Sequence, residues 1–234
     1  MPTAHPAQLI GSLAPTLSRW LWLVKWFLAI PHYIALFFLG IALVVTTVIA
    51  FFAILFTGRY PRGLFDFAVG VLRWGWRVGF YTYSALGTDE YPPFTLARTT
   101  YPADFDVEYP QQLSRGLVLV KWWLLAIPHY LLLGAISGGA ASYTRTYNAS
   151  GDGSDFVERT TSSAPGLLGL LVLIAALAVL FTAVYPRALF ALIMGINRWS
   201  YRVSAYVLLL TDTYPPFRLD QGEAEPVPLV TEGG

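Results

Sequence analysis

The chain has 234 residues, 56% of them hydrophobic and only 12% charged, with a net charge of +1 and a mean hydropathy of +0.54. The charged share is about half that of an average soluble domain, which excludes a disordered chain, a nucleic-acid binder and an ordinary soluble enzyme. Cysteine is absent, so disulfides, thiolate nucleophiles and cysteine metal sites are excluded as well.

Residues 1–16 form a polar N-terminal segment with three prolines and no Lys or Arg. A cleaved signal peptide needs a basic n-region, so the first hydrophobic segment is expected to stay as an anchor. Segment a follows from Leu17; it is rich in Trp and carries a single lysine, Lys25. Segment b, Tyr33 to Thr57, runs 25 residues without a charge. A helix needs about 20 apolar residues to cross hydrocarbon, and this one reads as a transmembrane helix. Segment c, Gly63 to Tyr83, carries Asp66, Arg73 and Arg77 among Trp and Tyr and leads into Thr88-Asp-Glu-Tyr-Pro-Pro-Phe94. Residues 97–112 read as an acidic linker.

The same blocks then return in the same order. Leu17-Ser-Arg and Lys25…Ala-Ile-Pro-His-Tyr33 recur as Leu113-Ser-Arg and Lys121…Ala-Ile-Pro-His-Tyr130. Phe56-Thr-Gly-Arg-Tyr-Pro-Arg62 recurs as Phe181-Thr-Ala-Val-Tyr-Pro-Arg187. Gly70, Arg73-Trp74, Arg77-Val78 and Tyr81 recur as Gly195, Arg198-Trp199, Arg202-Val203 and Tyr206, and the TD-x-YPPF motif recurs from Thr211. Such order marks a duplication. The second uncharged stretch is Gly166 to Val184, 19 residues. The copies span 17–96 and 113–219. The second holds an insertion at 137–165, rich in Gly, Ser and Thr, which reads as an extramembrane loop. Residues 220–234 read as a disordered tail.

Segment c is ill suited to crossing alone. Its three charges cost about 7–10 kcal/mol at the bilayer centre, against a return of about 2–5 from its Leu, Phe and Val residues. It reads as an amphipathic helix in the interface. Four spans result if a and b both cross as a hairpin; every arginine but Arg145 and Arg159 then lies on one side, as the positive-inside rule asks. That topology is favoured, with two or six spans as alternatives. The objection is that the would-be turn, Ile34 to Gly40, is wholly apolar.

Three residue sets could carry function. Arg73, Arg77, Arg198 and Arg202 lie on one helical face in each copy and read as headgroup anchors, with a cavity binding an anion as the alternative. Lys25 and Lys121 would snorkel to headgroups. His32 and His129 read as satisfied polar residues at a kink, with paired haem ligation or proton relay as lesser readings. No catalytic residue, metal site or cofactor is expected, and no nucleotide-binding or hydrolase motif occurs. Asn148-Ala-Ser150 in the insertion is an N-x-S site.

The blocks FFAILFTGRYPRGLFDFAVGVLRWGWRVGFYTY and TDEYPPF, with AIPHY upstream, resemble a bacterial membrane-protein family, domain of unknown function 4389, in two tandem copies. The resemblance implies an integral membrane protein, known mostly from actinobacteria, with no established activity.

The expectation is thus an all-α integral membrane protein of two tandem repeats, each a hydrophobic hairpin or span plus an Arg/Trp-rich amphipathic interfacial helix. It would sit in the bacterial plasma membrane as a multi-pass, non-enzymatic accessory, scaffold or envelope-organising protein. Its partners would be anionic lipids, itself or other membrane proteins. A small transporter or lipid carrier with an Arg-lined cavity, and a haem-binding subunit, are the alternatives.

Overall fold

The computed structural model describes residues 5–137, 141–147, 156–162 and 166–220. In chain order they form β1 (Ala7–Gly11), a 3₁₀ turn (Leu21–Leu23), α1 (Lys25–Leu28), α2 (Ile30–Thr57), α3 (Arg62–Tyr81) and β2 (Ala103–Val107). Then come α4 (Leu117–Val120), a π-helical turn (Lys121–Leu125), α5 (Ile127–Ser137), β3 (Ala141–Tyr147), β4 (Phe156–Ser162), α6 (Leu167–Thr182) and α7 (Arg187–Val207). The protein is mostly helical, and two helical stretches, Ile30–Thr57 and Leu117–Ile136, are long and apolar enough to cross a membrane.

Helix α2 follows from its composition. Pro31 sits in the first turn, where its missing N–H is not needed. Nothing in the next 26 residues breaks the helix, and Gly58 ends it in the left-handed conformation, φ 72°, its N–H donating to Ile54 O at 2.8 Å. The hairpin expected between segments a and b is therefore absent from the first half. Ile34 to Gly40 carries no turn-forming pair and simply continues α2.

The second half builds the same helix in two pieces. Residues Ile127–Ser137 of α5 correspond to 30–40, and Leu167–Thr182 of α6 correspond to 42–57. The insertion thus interrupts what is one helix in the first half. The Thr- and Tyr-rich ends of the insertion are not loop but an antiparallel hairpin, with Tyr143 opposite Thr160. β-branched and aromatic residues favour strands, which outweighs the loop-like overall composition. Asn148 lies outside the described residues, as do residues 221–234 of the expected tail.

Strands β1 and β2 were also unforeseen. They pair antiparallel, with Leu9 opposite Phe105 at the centre. Their alternation, buried at 7, 9 and 11 and at 103, 105 and 107, turns one face inward. That face rests on α3 and α7. A Cβ on Gly11 would lie 2.7 Å from Phe80 and 2.8 Å from Met194, so glycine lets the strand settle between the two helices without displacing either side chain.

The Arg/Trp-rich helices are not peripheral. Twelve of the 20 residues of α3 and twelve of the 21 of α7 are buried, against four of the 28 of α2. On α3, Trp76 donates to Ile10 O of β1 at 2.8 Å, whereas Trp74 and Val78 pack against Ala35, Leu36 and Leu39 of α2. Residues two apart on a helix point about 200° apart, so the sheet and α2 cover opposite faces of α3. On α7, Tyr201 meets Phe105 of the sheet at 5.3 Å and Trp199 turns to His129 of α5. The order is thus sheet, then α3 and α7, then the uncharged helices.

Ala183 stands where the first half has Gly58 and adopts φ 58° without the freedom of glycine. A left-handed residue with a Cβ costs about 1 kcal/mol. Ala183→Gly is expected to raise stability by about 1 kcal/mol and Gly58→Ala to lower it by a similar amount, measured by thermal unfolding in detergent.

Candidate functional site

The two lysines do not reach outward. Lys25 and Lys121 are 1% and 0% exposed. Lys25 Nζ donates to Thr88 O at 2.6 Å and pairs with Asp89 at 2.8 Å. Lys121 Nζ donates to Thr211 O at 3.0 Å and pairs with Asp212 at 2.7 Å. The second carboxylate oxygen accepts the Ser18 N–H in one half and the Ser114 N–H in the other, at 2.5 and 2.6 Å. The Tyr81 and Tyr206 rings lie beside the ammonium groups. The Leu-Ser-Arg block, the lysine and the Thr-Asp pair are therefore one unit, which explains why they travel together. Leu86 and Leu209, both left-handed at φ 53° and 65°, turn the chain so that the carbonyls face the lysines.

The remainder of TD-x-YPPF encloses the histidines, both fully buried. His32 stacks on Phe94 at 3.9 Å, with Tyr91 at 4.9 Å, and its Nδ1 accepts the Trp74 indole N–H at 3.1 Å. His129 stacks on Phe217 at 4.3 Å, beside Tyr214 and Trp199. Tyr91 and Tyr214 donate to the carbonyls of Leu28 and Leu125, which pins each motif to the turn preceding the histidine. Each ring is thus walled in by aromatics of its own half. A haem iron is ligated through a ring nitrogen, and His32 Nδ1 already accepts the Trp74 N–H. Among the described residues no group of three or more His, Asp or Glu could hold a metal ion.

The four arginines are also turned inward, at 7% exposure or less. Arg73 donates to Phe105 O at 2.9 Å and Leu96 O at 3.0 Å and pairs with Asp104 and Asp106 at 3.0 and 2.9 Å. Arg77 donates to Ala97 O at 2.9 Å and Ala103 O at 3.4 Å and pairs with Asp104 at 3.3 Å. Arg198 donates to Leu9 O at 3.1 Å and to Asp220 O, and Arg202 pairs with Asp220 at 2.6 Å. Burial pulls Arg77 below its usual value, an effect that Asp104 opposes. The guanidinium groups face strand carbonyls and carboxylates rather than headgroups. The basic residues that stay exposed on these helices are in the first turns, Arg62 on α3 and Arg187 on α7.

The sequence reading missed Asp104, Asp106 and Asp220, because it assigned them to the linker and the tail. The signal was present: Ala103-Asp-Phe-Asp-Val107 alternates as a half-buried strand does. A cleft of about 370 Å³ opens at the rim of this network, lined by Arg62, Asp66, Arg73, Arg98, Asp106 and Tyr109 among others. Within it Arg62 pairs with Asp66, and Arg98 with Asp106. It lies along α3 and β2.

The family described as Domain of unknown function (DUF4389) matches residues 19–95 and 161–218, more than half of the chain. The chain belongs to that family. The two matched regions are consistent with two copies of one domain. The first runs from segment a to the end of TD-x-YPPF. The second begins in β4 and takes in α6, α7 and the second YPPF motif. No curated protein and no solved structure matches the chain.

Removing one partner of a buried ion pair costs about 3–5 kcal/mol, because the other charge is left without compensation. Lys25→Met is expected to lose less than that, about 2 kcal/mol, because Asp89 keeps the Ser18 N–H and some contact with solvent. Asp89→Asn in the same chain should recover part of it, read from the unfolding midpoints of the single and double variants.

His5, at the entrance to β1, is buried, and its Nδ1 accepts the Ala7 N–H at 3.1 Å. Burial, aided by Arg202, pushes its pKa down to about 4. The unfolded chain binds a proton near the ordinary value of about 6.5, and the folded chain does not. Stability is therefore full above that value and falls as pH drops toward 4. The loss is expected to be on the order of 2 kcal/mol between neutral pH and the folded pKa. His5→Gln should flatten this part of the pH–stability curve.

Proposed function

We propose that this DUF4389 chain is an integral, non-enzymatic accessory or envelope-organising protein of a bacterial plasma membrane, its two copies forming one body. One observation carries this reading. Every lysine, histidine and c-segment arginine that recurs in both halves is buried against groups of the chain itself, while the outer surfaces of α2, α5 and α6 are bare and uncharged. A catalyst or carrier keeps some polar groups open to its substrate. Here the recurring lysines and arginines are spent on architecture, and what remains for the surroundings is an apolar exterior. Val44, Phe37 and Phe56 of α2 are 63–71% exposed, as are Leu131 of α5 and Phe181 of α6 at 71% and 75%. Such surface is costly in water and ordinary against lipid chains. Lipid is the primary partner; a second copy or another membrane protein would meet the small-residue positions such as Gly40 and Gly134, which have open space around them.

The test has two parts. Purified protein should float with phosphatidylcholine–phosphatidylglycerol vesicles and resist alkaline carbonate; release by carbonate would sink the membrane reading. Arg77→Lys should lower stability by about 2 kcal/mol, because one ammonium cannot serve Ala97 O, Ala103 O and Asp104 together. An arginine held for headgroups or a transported anion would tolerate lysine, with a change in ligand affinity instead.

A further inference from the structure

The two halves meet across a local twofold axis whose direction limits how the body can sit in a bilayer. Leu9 and Phe105, one repeat apart in sequence, face each other at the centre of β1–β2. Trp76 and Tyr201, also equivalents, meet with ring centroids 5.4 Å apart. A residue touches its own equivalent only near the axis, so the axis passes through the sheet and between α3 and α7. The helices run antiparallel. Phe80, at the end of α3, lies 6.1 Å from Phe190, at the start of α7, and Tyr185 donates to Ala85 O at 2.8 Å. The axis is therefore perpendicular to α3 and α7. It is perpendicular to α2 as well, since α2 packs along α3.

Two placements satisfy this symmetry. If α2 stands upright across the bilayer, the axis lies in the membrane plane and passes through the sheet at mid-depth. The outer face of that sheet carries Gln8, Asp104 and Asp106, with the 63%-exposed Arg98 beside it. Even paired with one another and with Arg73 and Arg77, these charges would then meet hydrocarbon, where burying an ion costs several kcal/mol. The β3–β4 hairpin would suffer likewise. It leaves the α5–α6 helix at the level of Ile41, about 12 Å inside a span that starts at Tyr33, and its strands are rich in Thr, Ser, Arg and Glu. If α2 lies flat, the axis runs along the membrane normal. The sheet then faces water, the hairpin leaves sideways, and the bare face of α2 points into the acyl chains.

We propose that the protein is monotopic: α2 and α6 lie in the plane of one leaflet, and the β1–β2 sheet faces the water on the same side. The occupant of the apolar face is the acyl layer of that leaflet. On α2 the contact stripe is Ile34, Ile41, Val45, Val48, Phe52 and Phe56, all more than half exposed and spaced as one helical face. This rests on the membrane reading above and departs from a multi-pass topology.

The absence of native cysteine allows single nitroxide labels at Ile34→Cys, Val45→Cys, Phe56→Cys and Gln8→Cys in the full chain, reconstituted in phosphatidylcholine–phosphatidylglycerol vesicles. Depth is read from the balance of oxygen and nickel-complex accessibility. The expected result is equal depth at the three α2 positions, to within about one helical turn of 5 Å, and free nickel access at position 8. A profile that is shallow at 34, about 16 Å deeper at 45 and shallow again at 56 would overturn the proposal while leaving the membrane reading intact. Labels shielded from both reagents would mean that protein, not lipid, covers the face, and would overturn it too. Nickel access at all four positions would defeat the membrane reading itself.

Discussion

Four guanidinium groups lie in the interior, and the rest of the fold is arranged around supplying them with acceptors. An arginine taken from water must find carbonyls and carboxylates within reach or the structure is penalised by several kcal/mol per ion. Neither half provides them alone. Arg73 and Arg77 draw on β2, which leads into the second half, and Arg198 draws on Leu9 of β1, which precedes the first. The strands profit in turn. A two-stranded ribbon has two open edges, and here guanidinium donors occupy carbonyls along them. The exchange of strands ties the halves together more tightly than an apolar seam would, because breaking it exposes charge as well as surface.

The lysine units work on a smaller scale. Each fastens the start of its half to the end of the same half, Lys25 to Thr88–Asp89 and Lys121 to Thr211–Asp212. The histidine packed under YPPF lies about two turns further along the same helical path. Together these contacts fold TD-x-YPPF back over the entrance to the long helix. The two β1–β2 strands then join the closed halves. Polar interactions therefore set the geometry, and the apolar residues of α3 and α7 fill the space between.

Much of this could be read from the sequence, and the failures have identifiable causes. The uncharged helices and the recurrence of Lys, His, Arg and TD-x-YPPF were legible because each rests on local pattern. The assignment of arginine to the lipid interface was not, since an amphipathic helix looks the same whether its polar face meets water, headgroups or a strand. The strand that decides the matter is five residues long and separated from Arg198 by almost the whole chain. The hairpin expected at Ile34 to Gly40 failed for a different reason: counting charges per side favoured a turn that the local residues cannot make. The insertion at 137–165 reads as a loop from its composition, but the offset between copies changes inside the long helix, between the equivalents of Gly40 and Ala42.

The reciprocal strands have one more consequence. Suppose a polypeptide held a single copy, with its leading strand and one Arg-bearing helix. Its strand would have no helix to lie on and its arginines no carbonyls to meet, yet both needs would be answered by a second molecule of the same kind, since the contacts are symmetric. The smallest self-sufficient unit of this architecture is therefore a pair. Fusing the pair into one chain frees each member to vary separately, and the hairpin that divides the long helix in only one half is a change that a symmetric assembly would have had to accept twice.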